Sequence, residues 1–299
     1  MRISGPRDDP PPRRRTGFLQ GIRRPGSAGP VERELDWRDY DPVAEAYARV
    51  QAPRTARVAS DVVGLIGIRP GDRVLDVGTG TGVGARAAAA RTGSDGLTVG
   101  VDAAIGMLHV AASAGAGPRY AQAVAIDLPF RDRTFDVVTC LFTLMHFTRY
   151  ETALFDMLRV LKPGGRMGVA TWGPGRDEFG RAWDDIAYEF AGREMLQDAY
   201  RRAMPWSERF SDRARLKDAL HEAGLRDIEA EVRPYRFQMT AEDYLEAREI
   251  AATGRFLHQM LGERLWETFR ERTRSTFADR FPPAFNDFRD VVIAAARKP

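Results

Sequence analysis

The stretch Val74-Leu75-Asp76-Val77-Gly78-Thr79-Gly80-Thr81-Gly82-Val83-Gly84-Ala85 constrains the fold most strongly, because an apolar strand here must run into a glycine-rich turn and then a helix. Val74, Leu75 and Val77 suit a strand buried on both faces of a parallel sheet. The alternating glycines let the backbone turn sharply and approach a ligand that any Cβ would hold off. The helix expected over about Gly82 to Arg91 points its free N–H groups at whatever occupies the turn. Taken alone, Gly80-x-Gly82-x-x-Ala85 also satisfies the dinucleotide pattern G-x-G-x-x-G/A, so the loop by itself leaves the ligand open. Asp76, two residues ahead of Gly78 and near the strand's carboxyl end, favours a cationic ligand over a pyrophosphate.

Further segments follow in order. Leu97-Thr98-Val99-Gly100-Val101-Asp102 reads as a second short apolar strand ended by an acid, and Asp102 lies 20 residues past Gly82, the spacing of a carboxylate that accepts from ribose hydroxyls. Ala123-Val124-Ala125-Ile126-Asp127-Leu128-Pro129-Phe130 carries a third acid. Thr134-Phe135-Asp136-Val137-Val138-Thr139-Cys140-Leu141 reads as a fourth strand, and Leu161-Lys162-Pro163-Gly164-Gly165-Arg166-Met167-Gly168-Val169-Ala170 as a turn and a fifth.

These five segments, spread over residues 74–172, together resemble the class I S-adenosylmethionine-dependent methyltransferases, of the UbiE-like, small-molecule type. The resemblance implies an α/β, Rossmann-like fold: a seven-stranded, mostly parallel sheet with an antiparallel last strand, elaborated by helical lid insertions. It implies S-adenosyl-L-methionine as cofactor, S-adenosyl-L-homocysteine as product, and no metal. By the same resemblance the cofactor is held by Asp76, Gly78, Thr79, Gly80, Gly82, Asp102, Ala103, Met107, Asp127, Leu128 and Leu141. Asp102 meets the ribose and Asp127 the adenine amino group, while Tyr40 and Tyr47 face the ligand from helices ahead of the first strand.

The chain divides into an Arg/Pro-rich segment (1–35) expected to be disordered, N-terminal helices covering the cofactor (36–70), and a core (71–299) with lid insertions at about 174–210 and 240–284. A helical pattern begins near Asp36, with Trp37, Tyr40, Val43, Ala44, Tyr47 and Val50 three and four apart, and Pro53 ends or kinks it. A second helix is expected over about Arg54 to Ile66. Beyond the fifth strand lie a helical stretch with Trp183, Ile186 and Tyr188, a helix capped by Ser211, and a sixth strand over about Asp227 to Phe237. Thr240 reads as the cap of a further helix, and a last strand spans Phe288 to Ala295. Ligands in such sheets bind beyond the strands' carboxyl ends, where the insertions emerge, so the acceptor pocket is expected there, mainly apolar and of moderate size.

Composition narrows the function classes. Residues 1–33 hold eight arginines against Asp8, Asp9 and Glu32, so the rest of a chain with formal charge +3 carries about −2 and offers no basic nucleic-acid surface. Apolar runs are too short to span a bilayer, and the lone Cys140 suits a reducing cytoplasm, packed in its strand. The expected partner is a small-molecule acceptor, with neither nucleic acid nor membrane, in a cytoplasmic monomer or homodimer.

Methyl transfer from a sulfonium chiefly needs alignment and exclusion of water. For a hydroxyl or an acidic carbon a base helps. His146, after the fourth strand in Leu141-Phe142-Thr143-Leu144-Met145-His146-Phe147, occupies the place from which family members face the methyl group, with simple packing or hydrogen bonding as the alternative role. His258 and Tyr244 follow as candidates; His221 is expected in solvent and His109 behind Asp102. The expected activity is O-, N- or C-methylation of a small, mostly apolar metabolite in bacterial secondary metabolism. A macromolecule methyltransferase would carry Asn/Asp-Pro-Pro-Tyr/Phe where this chain has Leu141-Phe142-Thr143-Leu144. A protein that keeps the cofactor but catalyses a non-methylating reaction such as cyclisation is the remaining alternative, since fold does not settle function.

Overall fold

The computed structural model describes residues 36–115, 117–175 and 177–299, so the arginine-rich segment 1–35 lies outside the described residues. The apolar run ahead of the glycines forms β1 (Arg73–Val77), whose last four residues are buried. It lies between β2 (Leu97–Asp102) and β4 (Phe135–Leu141) and is parallel to both. With β3 (Arg119–Gln122), β5 (Leu161–Trp172), β6 (Arg226–Thr240) and β7 (Ala284–Arg297), the sheet order is β3-β2-β1-β4-β5-β7-β6. β7 runs antiparallel between β5 and β6, as expected, and β6 and β7 both extend beyond their expected limits because they pair with each other from Arg226↔Arg297 to Thr240↔Ala284. The chain order reverses between β1 and β4, which opens a crevice at their carboxyl ends.

Helices cover the sheet. α1 (Ala44–Val50) is shorter than its apolar pattern predicts, because Asp41–Val43 winds as a 3-10 turn. Pro53 falls in the first turn of α2 (Ala52–Ile66), where its missing N–H costs no hydrogen bond, and so separates the two helices. Val58, Val62 and Ile66 recur every fourth residue along α2 and are buried; a Cβ on Gly168 of β5 would lie 2.4 Å from Ile66, so the glycine permits this close docking. α3 (Val83–Thr92) and α4 (Ile105–Ser113) follow β1 and β2, and α5 (Tyr150–Val160) leads into β5.

The insertion after β5 folds as α6 (Glu178–Phe190), α7 (Arg193–Ala203) and α8 (Ser207–Phe210), the last two separated at Met204-Pro205-Trp206. α9 (Arg213–Glu222) is capped by Asp212, whose carboxylate accepts from Arg215 N at 3.0 Å, rather than by Ser211. Thr240 does cap α10 (Ala241–Glu249), accepting from Asp243 N at 3.0 Å. α11 (Ala252–Arg280) is two helices joined at Gly262, where φ is +68°. Among the described residues no helix is long and apolar enough to cross a membrane.

Candidate functional site

The loop after β1 is held in a shape that only glycine tolerates. Gly78, Gly80 and Gly82 all have positive φ, +69°, +53° and +84°. Gly78 N and Thr79 N both donate to the Val101 carbonyl of β2, at 2.8 and 2.9 Å, which ties the loop to the neighbouring strand. A Cβ on Gly78 would stand 2.1 Å from Thr143 Cγ2, whereas one on Gly80 would meet no atom within 4 Å. Gly80 therefore faces open space, and the cradle it leaves suits a ligand that approaches the backbone closely.

Two acids brace this loop. Asp76 is 2% exposed; its Oδ1 accepts from Thr139 Oγ1 at 2.6 Å and its Oδ2 from Thr79 Oγ1 at 2.7 Å. Burial raises it to about 6 in spite of those donors. Both oxygens are thus engaged by the protein, and Thr79 serves the acid rather than the opening. Asp102, half-buried at the end of β2, accepts from Gly80 N at 2.8 Å and from Ala104 N at 3.0 Å, and burial raises its carboxyl above the usual range. Ala103 beside it is exposed, and Met107 is buried on α4. Asp41 Oδ1 accepts from Gly106 N at 2.7 Å, so the turn before α1 is anchored to the helix that follows Asp102.

The third acid stands at the rim. β3 stops at Gln122, and Asp127 is exposed in the turn beyond it, its N–H donating to Val124 O at 3.1 Å. Leu128 is buried, and its backbone is gripped from α5: its N–H donates to Asp156 Oδ2 at 2.6 Å and its carbonyl accepts from Arg159 Nη2 at 2.9 Å. Arg159 also donates to Phe130 O at 2.7 Å and to Asp156 Oδ1 at 2.6 Å. Sequence reasoning missed this clamp; the (i, i+3) Asp156/Arg159 pair on one helix face was its only signal.

Across the crevice lie the aromatic residues. Leu141 ends β4 half-buried, and Phe142 follows with φ of +57°, its N–H donating to Ala170 O at 2.7 Å. A bulky residue in that region is strained, and the strain directs its ring to 4.3 Å from that of Trp172. Tyr40 packs edge-on against Tyr47 at 6.1 Å and against His146 at 6.0 Å between centroids. Burial pushes both tyrosines above their ordinary value.

These residues wall a cavity of about 410 Å³, lined by Tyr40, Tyr47, Phe142, His146 and Trp172 and also by Tyr244, Arg54, Arg248 and Arg289. A narrower pocket at the glycine loop, lined by Asp76, Gly78, Thr79, Gly80 and Leu141, shares Tyr47 and Phe142 with it. Sequence reasoning assigned none of these three arginines to the cavity and passed over Phe142.

His146 Nδ1 lies 3.1 Å from the Ala203 carbonyl. A carbonyl only accepts, so Nδ1 carries the proton and Nε2 keeps its lone pair. Burial lowers the imidazole to about 4, which holds it neutral. His258 is elsewhere, stacked on Trp266 and 3.0 Å from Glu263. His221 is exposed as expected, while His109 is exposed on α4 rather than packed behind Asp102. Among the described residues no three His, Cys, Asp or Glu side chains converge as a metal's ligands would. Cys140 is fully buried in β4, and burial raises its thiol.

Comparison with known proteins places this geometry. A family model described as a methyltransferase domain matches residues 75–169. The ubiquinone/menaquinone biosynthesis C-methyltransferase UbiE of Ectopseudomonas mendocina is 37% identical over 176 residues, which are 55% of this chain and 69% of that protein. Among solved structures, phosphoethanolamine N-methyltransferase 2 of Haemonchus contortus in complex with S-adenosyl-L-methionine matches with TM-score 0.55 at 21% identity, over 89% of this chain and 60% of that one. The [4+2]-cyclase SpnF matches with TM-score 0.54 at 20% identity, over 87% and 93%. The two structural likenesses speak for the fold, and the sequence relative, with the loop of β1, for the family: the chain belongs to the class I S-adenosylmethionine-dependent methyltransferases.

Proposed function

We propose that this enzyme methylates a small-molecule acceptor with a mostly apolar, ring-like body, held in the cavity between Tyr40, Tyr47, Phe142, His146 and Trp172. The observation that carries the reading is the adjacency of the two chambers: the glycine-loop pocket and the larger cavity share Tyr47 and Phe142. S-adenosylmethionine, when bound, supplies a methyl group already activated by its sulfonium. The residues that would hold it are Gly78, Thr79, Gly80 and Gly82 along the backbone, with Leu141 and the two tyrosines beside them. Asp102 and Ala103 would take the ribose, Met107, Asp127 and Leu128 the adenine. Asp76 acts by bracing the loop and by placing negative charge under it.

The chain's own work is alignment and exclusion of water. Tyr40, Tyr47, Phe142 and Trp172 give the acceptor flat apolar walls, and His146 offers Nε2 as an acceptor that orients a hydroxyl of the substrate. An imidazole held near 4 is a weak base at neutral pH, so positioning is its larger role and full proton abstraction the lesser. The relative that makes quinones by C-methylation supports an aromatic or quinol-like acceptor and carbon as the methylated atom. A place in bacterial secondary metabolism belongs to the same proposal, as does a soluble, cytoplasmic monomer or homodimer acting without metal.

The test is calorimetric titration with S-adenosylmethionine, S-adenosylhomocysteine and NADH, followed by labelled-methyl assays on phenolic and quinol acceptors. Binding of the first two alone and label in a small-molecule product is the expected result. Binding of the cofactor with conversion of substrate but no transferred label would instead establish a non-methylating reaction.

A further inference from the structure

The cavity carries more positive charge than an apolar acceptor needs. Three arginines line it: Arg54 from α2, Arg248 from α10 and Arg289 from β7. Two are committed. Arg54 forms a buried ion pair with Asp287, and Arg248 reaches Asp184 at 2.7 Å while its guanidinium stands 4.3 Å from the Trp183 ring centroid. Arg289 is not: among the described residues its side chain makes no hydrogen bond and no ion pair, and its guanidinium carbon stands 5.1 Å from the Trp172 ring centroid. The acids whose charge bears on it are Asp177 and Asp287, which also act on each other, and Asp287 already serves Arg54. Burial and the neighbouring Asp177 raise Asp287 to about 7, so near neutrality these two carboxyls share a proton. Glu208 also lines the cavity but is exposed, where water screens it.

A guanidinium lying over an aromatic ring uses its face and leaves its in-plane N–H donors available, in a fork that matches the two oxygens of a carboxylate. One uncommitted arginine suits a single negative charge; a phosphate group would call for a second. Trp172 in turn contacts Phe142, which lines the glycine-loop pocket as well, so Arg289 stands across one pair of rings from that pocket.

We propose that Arg289 is a specificity residue that receives a carboxylate on the acceptor, whose apolar body lies along Trp172 and Phe142. The inference rests on the reading of this cavity as the acceptor site.

The test uses the full chain loaded with S-adenosylhomocysteine, with benzoate, benzamide and phenylphosphonate as probes at millimolar concentration, binding being read by saturation-transfer NMR. Benzoate is expected to bind about tenfold more tightly than benzamide, as a charge-assisted pair at a sheltered site would give. Arg289→Gln should erase that difference at unchanged S-adenosylhomocysteine affinity, and Arg289→Lys should keep part of it. Equal binding of benzoate and benzamide, a preference that survives in Arg289→Gln, or tighter binding of phenylphosphonate overturns the carboxylate assignment and leaves the acceptor site standing. Loss of S-adenosylhomocysteine affinity in Arg289→Gln overturns it too, by making the residue part of the cofactor's support. If none of the three probes binds, the cavity is not the acceptor site and both readings fall.

Discussion

At the scale of single residues, Gly78 and Gly80 differ in a way that separates folding from binding. Alanine at Gly78 drives a Cβ into Thr143 at 2.1 Å, on a backbone at φ +69°. Gly78→Ala should lose at least about 2 kcal/mol of stability and melt lower with or without cofactor. Alanine at Gly80 meets nothing in the protein, so Gly80→Ala should cost only about 1 kcal/mol for its positive φ. Its S-adenosylhomocysteine affinity should nevertheless fall more than about tenfold, because the open space it fills is the ligand's. Thermal melts beside titrations check both; a Gly80→Ala protein with full affinity would place the cofactor elsewhere. His146 gives a second residue-level outcome. Its folded value of about 4 lies below the ordinary 6.5, so as pH falls through that window the unfolded chain takes up a proton before the native state does. The native state loses stability over that interval and none above it. Urea denaturation from pH 7 down to 4.5 should show this slope, and His146→Gln should flatten it. A methylation rate with an inflection near 6.5 that depends on His146 would contradict the buried, neutral imidazole.

Between elements, the grip of α5 on the turn after β3 is the support on which the proposed adenine contacts of Asp127 and Leu128 depend. Removing Asp156 leaves the buried Leu128 N–H without its acceptor, and Asp156→Ala should cost about 1–3 kcal/mol by chemical denaturation. Arg159→Ala frees the Leu128 and Phe130 carbonyls and should weaken S-adenosylhomocysteine binding severalfold although Arg159 is a support residue of the turn. Unchanged affinity in both variants would detach Leu128 from adenine recognition. β1 and β2 were legible because each is a short apolar run with an acid at or next to its end, and the expected limits of β2, Leu97 to Asp102, are the observed ones. The clamp, the Gly262 kink and the backbone of Phe142 were not, since each depends on a neighbour set by tertiary packing. The cap of α9 moved by one residue because Ser211 and Asp212 are both good caps and only chain geometry chooses between them.

Over the whole molecule, a pairing far apart in sequence among the described residues brings Arg54 to the wall of the larger cavity. Arg54 near the start of the described chain meets Asp287 near its end, 233 residues apart, a partnership that periodicity and motif spacing cannot reveal. Asp287 has its carboxyl raised to about 7, so the native state keeps a proton that the unfolded chain releases near the ordinary value of 3.8. That contribution is complete in acid and is lost as pH rises through about 7. The stability difference between the wild type and Asp287→Asn should therefore shift against the wild type from pH 5 to pH 8, then level off; a pH-independent difference would show that Asp287 ionises normally. The division of the lining residues has a different kind of consequence. The glycine-loop chamber draws on residues 47–143, whereas most of the larger cavity comes from the segments after β5 and from β7. If the two chambers hold acceptor and cofactor as proposed, substitutions in those later segments retune the acceptor through evolution while the cofactor chamber stays intact. Tyr47 and Phe142, common to both chambers, are where such drift should be most strongly epistatic.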